Sequence, residues 1–303
     1  MELWIGLTIA GAFLQNLRSL LQKRLTGELS VNAAAYVRFF YAIPFAWIYV
    51  AYIWEGRLPD LNFIFVVYVT VGAIMQIIAT SALVAAVSGS HFAVGTALSK
   101  TEAVQAALLG LIILGDAVSG LALTGIAVSL VGVFFLSGSI RSKDFLQGDA
   151  SVWYGVLAGT AFALCSVCFR GASLALGVDG SASAQINGAP ILGVAERAGF
   201  TLAVTLTLQT VLMGIYLFRR EPKQMAKVVR SWPIAVWVGL IGSVSSICWF
   251  TAMTLQNAAI VRALGQVELL FTLVTSVFVL RERIRLREMA GMFFLVLGIL
   301  LLV

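Results

Sequence analysis

Leu98-Ser-Lys-Thr-Glu102 and Leu264-Gly-Gln-Val-Glu268 are one five-residue pattern met twice, 166 positions apart. Both lie in strongly apolar surroundings. The first is followed by AVQAALLGLIILG and the second by LLFTLVTSVFVL. Each copy ends on a glutamate, and only the first carries a lysine at its centre. A charge in such a run has to be explained, because an ion in hydrocarbon costs at least about 3 kcal/mol unless it meets protein or water.

The rest of the chain has the same character. Of 303 residues, 60% are hydrophobic and 11% charged, where a soluble domain holds about 25% charged residues. Mean hydropathy is +0.99. The 28 glycines suit helices that pack closely in a bilayer. Apolar runs of helix length fall at 3–24, 31–53, 63–86, 90–114, 120–138, 151–170, 197–218, 233–253, 257–280 and 288–303. Most are long enough to cross a core of about 30 Å. The expected fold class is therefore an all-α integral membrane protein with ten transmembrane helices. The first run lacks a basic leader and reads as a retained helix, not a signal peptide. The alternating ten-residue segments of a barrel are absent.

Basic residues set an expected orientation. Thirteen of the 20 Lys and Arg fall in or beside the loops after runs one, five, seven and nine. Three lie on the opposite side: Arg57, Arg170 and Arg197. The remaining four, Arg18, Arg38, Lys100 and Arg262, lie inside the runs. The positive-inside rule puts the thirteen in the cytoplasm and both termini outside it. One long connection, 171–196, is expected as an extramembrane loop.

The offset of 166 extends beyond the opening pattern. It carries Asp116 onto Glu282, Gly125 onto Gly291 and Gly132 onto Gly298. The first runs match at another offset, Ala10-Gly11 and Phe13 against Ala158-Gly159 and Phe162. Two repeats are expected, 1–140 and 151–303. Five crossings per repeat is an odd number, so the second repeat enters the membrane inverted. Such duplications underlie alternating access around a midplane site.

On Leu114-Gly-Asp116 with Gly125 and Gly132, and Arg281-Glu-Arg283 with Gly291 and Gly298, the chain resembles the drug/metabolite transporter superfamily in its EamA-type branch. The resemblance covers the whole chain. It implies a ten-helix basket with a central cavity, and a transporter of small metabolites, amino-acid exporters among them. The first half reads Gly-Asp-Ala where family members often read Gly-Glu-Arg, and the second half has Arg281 in place of the glycine.

The charges suggest roles. Lys100 either meets the carboxylate or phosphate of a solute or pairs with Glu102 or Glu268. Those two glutamates are read as proton-coupling carboxylates or as braces between helices. On a continuous helix, Lys100 and Glu102 stand about 200° apart and face different ways. Arg38, Gln266, Tyr36, Gln76 and Trp249 complete the expected solute-binding set, alongside Lys100. Arg18 and Arg262 are expected to snorkel or pair. Trp4, Trp54, Trp232 and Trp237 read as an interfacial belt. His91, the one histidine, reads as a local hydrogen-bonding group. Pro44 is placed to kink the second run. No interior pair of helices reads as doubly broken. Cys165, Cys168 and Cys248 read as buried thiols, not a metal or redox set.

No P-loop, nucleophilic triad or metal-ligand set is present, so neither enzyme chemistry nor a cofactor is expected. The expected function is a secondary transporter of small polar or zwitterionic metabolites in a bacterial inner membrane. Amino acids are favoured and export is the expected direction. The expected partners are a small-molecule solute, the lipid bilayer and protons as the open question. Nucleic acid is not expected, and a monomer is. The alternatives are an exchanger of organic anions such as sugar phosphates or nucleotide sugars, a cationic drug exporter and a non-transporting membrane scaffold.

Overall fold

The structure, a computed structural model, describes residues 2–25, 27–54, 59, 61–88, 97–136, 150–178, 193–271, 273 and 286–302. Among them the chain is helical, with no strand. The helices are α1 Leu3–Leu25, α2 Val31–Phe40, α3 Ile43–Ile53, α4 Phe63–Ser88, α5 Glu102–Leu114 and α6 Gly120–Leu136. After them come α7 Ala150–Val178, α8 Val194–Arg220, α9 Pro222–Arg230, α10 Trp232–Leu255, α11 Ala258–Gly265 and α12 Leu286–Leu302. Among the described residues, six segments are long and apolar enough to cross a membrane: Val31–Ile53, Phe63–Ala86, Ala97–Leu114, Ala150–Leu176, Val194–Arg220 and Trp232–Leu255.

Several expected boundaries shift. The loop expected at 171–196 is shorter, because α7 continues to Val178 and α8 starts at Val194. Its Ala, Leu and Ser residues suit a helix, and Gly171 does not stop it. The stretch read as a break after Arg220 contains the nine-residue helix α9, begun by Pro222 in its first turn. The second run bends as Pro44 suggests: α2 stops at Phe40 and α3 restarts at Ile43 with proline in its first turn. His91, Arg57, Glu282, Arg281 and Arg283 lie outside the described residues.

The chain forms two compact units. The first holds Met1–Ile5, Ile74–Cys168 and Gln256–Val303. The second holds Gly6–Ala73 and Phe169–Leu255. Each unit draws on both sequence halves.

In the first unit, α5 packs on α11 and α6 packs on α12. Alanines make the core: Ala103, Ala106 and Ala107 of α5, Ala163 of α7, and Ala258, Ala259 and Ala263 of α11 are buried with Ile126 and Val167. Small side chains let helix backbones approach, which replaces the hydrophobic drive that lipid does not supply. The α6–α12 crossing is antiparallel, with Gly125 against Gly298 and Gly132 against Gly291. At the end of α5, Gly115 takes φ +70, and Asp116 N–H donates to the Gly110 carbonyl at 3.1 Å. That left-handed cap favours glycine. It also presents the Asp116 carbonyl to Asn257 Nδ2 at 3.3 Å, while Asn257 Oδ1 caps α11 by accepting from Ala259 N–H at 2.8 Å.

In the second unit, α8 packs against α2, α3 and α10. Phe200 is a hub for Trp54 at 5.7 Å, Phe65 at 5.9 Å and Trp47 at 6.2 Å between ring centroids. The bend between α2 and α3 is seated by α10, where a Cβ on Gly239 would strike the Tyr41 carbonyl. The Tyr41 hydroxyl donates to the Val228 carbonyl of α9 at 3.1 Å. The turn before α9 also reaches α2. Glu221 Oε1 accepts from Asn32 Nδ2 at 2.7 Å, its other oxygen accepts from the Ser30 hydroxyl, and Ser30 is itself the N-cap of α2. These hydrogen bonds, Asn32 first and Ser30 second, hold the Glu221 carboxyl below the usual carboxylate range.

Trp232 and Trp237 are exposed, as a belt requires, but Trp4 is buried, so its belt assignment is corrected. Cys165, Cys168 and Cys248 are buried thiols.

Candidate functional site

The two copies of the opening pattern share a backbone feature that apolar periodicity hides. In the first, residues 97–99 are helical and the helix is interrupted at Lys100-Thr101 before α5 begins at Glu102. Lys100 N–H donates to the Ala97 carbonyl at 3.2 Å, and Thr101 N–H to that of Leu98 at 3.1 Å. In the second copy, α11 ends at Gly265, a turn occupies Gln266-Val267, and helix resumes at Glu268. Gln266 N–H donates to Ala263 at 3.2 Å, and Val267 N–H to Leu264 at 3.0 Å. These are tightened i→i−3 bonds. The expectation of no doubly broken pair is thus corrected, and the 200° angle between Lys100 and Glu102 does not apply, since no continuous helix joins them.

The breaks gather four charged residues of the first unit. The Lys100 ammonium pairs with the Glu268 carboxylate, and both side chains keep partial exposure, 18% and 19%. Gln266 Nε2 donates to the Lys100 carbonyl at 3.1 Å. That carbonyl belongs to the residue before the Thr101 cap, so the amide satisfies a group in the helix break. Gln266 is buried, and its Oε1 has no hydrogen-bond partner among the described residues. Arg262 Nη1 stands 3.9 Å from Glu102 Oε1, both more enclosed at 11% and 10%. Arg262 Nε donates to the Ser166 hydroxyl at 2.6 Å, and its guanidinium lies 6.0 Å from the Phe162 ring centroid. Two cations and two carboxylates are thereby crossed between the 97–114 segment and the 258–271 segment.

The local scaffold is close. A Cβ on Gly159 of α7 would lie 3.0 Å from the Leu98 carbonyl oxygen and 3.2 Å from that of Ser99. Thr101 Oγ1 donates to the Leu98 carbonyl at 2.6 Å and accepts from Gln105 Nε2 at 2.7 Å.

The structure therefore joins Lys100, Gln266, Glu268 and Glu102 of the expected set. It adds Arg262, expected only to snorkel or pair, and Ser166, which had no sequence signal beyond being a hydroxyl four residues after Phe162. Gln76 is half-buried on α4, where its carbonyl accepts from Thr80. The other three expected residues belong to the second unit. Tyr36 is buried, with its hydroxyl 3.2 Å from a Cβ placed on Gly214 of α8. Arg38 is half-buried on α2, 5.2 Å from the Phe39 ring centroid. Trp249 is buried beside Gly11 of α1.

Residues 194–303 match the model of the EamA-like transporter family. Over this stretch the chain is similar to that family. The matched residues include Arg262, Gln266 and Glu268, whereas Lys100 and Glu102 lie outside them. The family is one of membrane transporters of small solutes, and the apolar helices agree with a multi-pass membrane protein. No curated protein matches the sequence. Among solved structures 27 chains match. One crystal structure, 13% identical, is similar over 98% of this chain and 97% of its own with a TM-score of 0.70, which shows a shared fold.

Proposed function

We propose that the protein is a secondary transporter of small zwitterionic metabolites, with amino acids the favoured class. The observation that carries the reading is the Lys100–Glu268 pair, the more exposed of the two crossed ion pairs. A zwitterion enters such a pair by substitution. Its carboxylate takes the Lys100 ammonium and its ammonium takes Glu268, so no buried charge is orphaned. A simple anion would leave Glu268 without its lysine, and a simple cation would leave Lys100 without its glutamate. An uncompensated buried charge costs about 3–5 kcal/mol. The anion-exchange and cationic-drug readings are therefore less favoured by this arrangement. The more enclosed Arg262–Glu102 pair, with Arg262 also held by Ser166, serves as scaffold.

The reading includes ten crossings in two inverted five-helix repeats, with solute exposed to each side in turn. It places the chain in a bacterial inner membrane, with the basic loops inside and both termini outside. Export is the favoured direction, and proton coupling by Glu268 or Glu102 is part of the proposal.

The test is counterflow in liposomes containing the purified protein. Preloaded neutral amino acids should accelerate uptake of the labelled species, and sugar phosphates should not. Counterflow with sugar phosphates alone would favour organic-anion exchange. No counterflow with any of these solutes, from folded protein, would return the chain to a scaffold role. Repeating the assay with and without a pH gradient decides proton coupling.

A further inference from the structure

The contacts between α6 and α12 come in pairs related by the repeat offset. A Cβ on Gly132 would lie 2.5 Å from Leu295 N and 2.7 Å from the Gly291 carbonyl oxygen. A Cβ on Gly298 would lie 2.5 Å from Ser129 N and 2.7 Å from the Gly125 carbonyl oxygen. Shifting each member of the first set by 166 positions yields the second. Two helices that repeat each other's contacts in this way cross on a local two-fold axis, which passes beside the equivalent residues Ser129 and Leu295.

The broken segments meet on the same kind of axis. Lys100 and Gln266 are equivalent by the offset, and they hydrogen-bond to each other. Equivalent points lie in contact only where they flank a two-fold axis. The arrangement there is nevertheless unequal. The Lys100 carbonyl accepts from the Gln266 side chain, whereas the Gln266 carbonyl accepts from Leu269 N–H at 2.9 Å. The second copy keeps its tight turn further, with Leu270 N–H on the Val267 carbonyl at 2.9 Å. Both copies then carry the same helical bond, Gln105 N–H to Thr101 at 3.1 Å and Phe271 N–H to Val267 at 3.3 Å. The copies thus differ in what the carbonyls of positions 100 and 266 accept.

We propose that Lys100 has two seats flanking this axis, and that its ammonium moves between them when the two copies exchange hydrogen-bond partners. In the observed seat the ammonium lies on Glu268 and the Gln266 amide lies on the Lys100 carbonyl. Applying the axis gives the second seat: the ammonium on the Gln266 carbonyl and the Gln266 amide on Glu102. The charged groups facing Lys100 in this exchange are Glu268, Glu102 and Arg262. The proposal rests on the transport reading and deepens it, because leaving Glu268 opens that carboxylate to the ammonium of a solute. Gln266 then acts as a positioning residue for the lysine.

The experiment transposes the lysine. Lys100→Gln and Gln266→Lys are made singly and together in the full chain. Thermal stability in detergent and counterflow of a labelled neutral amino acid are then measured. Each single change unbalances the charges and should slow counterflow roughly tenfold or more, with a lowered melting temperature. The double variant restores the net charge of the cluster and should recover part of both losses, with the transposed lysine facing Glu102 across the axis beside Arg262. In the double background, Glu102→Gln should then be the harmful carboxylate change, as Glu268→Gln is in the parent. A folded double variant no better than the worse single variant overturns the proposal. So does an unchanged ranking of the two glutamate substitutions by melting temperature. The melting arm judges the axis even if amino-acid counterflow is absent from the parent, an outcome that instead defeats the substrate reading. If the double variant does not fold, Gln266→Met keeps the length and removes the amide. Slower counterflow with unaltered amino-acid binding supports the exchange, and unaltered counterflow overturns it.

Discussion

Arg262 reaches Glu102 at 3.9 Å from the opposite broken segment, just as Lys100 reaches Glu268. The cation serving Glu102 does not come from position 266, the equivalent of Lys100, but from one helical turn earlier. Both glutamates of the repeat are thereby compensated by different means, and the four charges balance. Replacing Arg262 by alanine should therefore destabilise the protein by about 3 kcal/mol or more, because Glu102 is left buried and ionised. Arg262→Ala with Glu102→Gln should recover much of that loss. Melting curves of the four proteins of this cycle measure it, and strict additivity would count against the pairing.

Lys100→Ala should abolish counterflow, reducing it at least tenfold, while Lys100→Ala with Glu268→Ala regains stability but not transport. Removing one partner of an enclosed pair costs about 3–5 kcal/mol, whereas removing both costs far less. Separate readings of melting temperature and uptake distinguish a binding role from a purely structural one. Full uptake by folded Lys100→Ala would rule out solute contact by this residue.

The α6–α12 crossing offers a test of packing. Valine at Gly132 or Gly298 has no room, since the nearest atoms are backbone of the facing helix and cannot rotate away. Each substitution should cost about 3 kcal/mol, the upper part of the usual range for overpacking. Because the two sites are equivalent, their losses in chemical unfolding should agree closely. A large difference would contradict the local two-fold.

Glu221 predicts a pH dependence. Its carboxyl is held low by Asn32 and Ser30, so the folded protein binds its proton less readily than the unfolded chain. The stabilisation is complete above the unfolded carboxyl value, about 4.3, and is lost as pH falls through the lower folded value. Glu221→Gln should flatten the acid limb of a melting-temperature profile and leave the neutral plateau only slightly lower. An acid limb unchanged by the substitution would refute the contribution.

Much of this was legible in the sequence because it depends on residue type at fixed spacing. The glycines at 125, 132, 291 and 298, and LSKTE with LGQVE, stood out as matched positions of the two halves, and the structure sets the four glycines at the α6–α12 crossing. The breaks at Lys100 and Gln266 were not legible, since a shift from i→i−4 to i→i−3 bonding leaves the apolar pattern almost unchanged. Pro44 did reveal the bend in the second run, because a missing N–H is written in the residue itself. The short helix α9 escaped notice since its basic residues look like an ordinary loop. The partnership of Arg262 with Ser166 depends on helix packing, which one-dimensional spacing does not encode.

The hydrogen bonds from Ser30 and Asn32 to Glu221 carry a parity argument. Two groups that touch at a membrane surface lie on one face of it, so the chain between them crosses an even number of times. Five of the long apolar segments lie between residues 30 and 221. If all five cross, an odd count would strand Ser30 and Glu221 on opposite faces. On the proposed topology the seventeen-residue apolar helix α6, shorter than those five, would supply the missing traverse. A hydrogen bond at one surface thus counts the passages through the bilayer behind it.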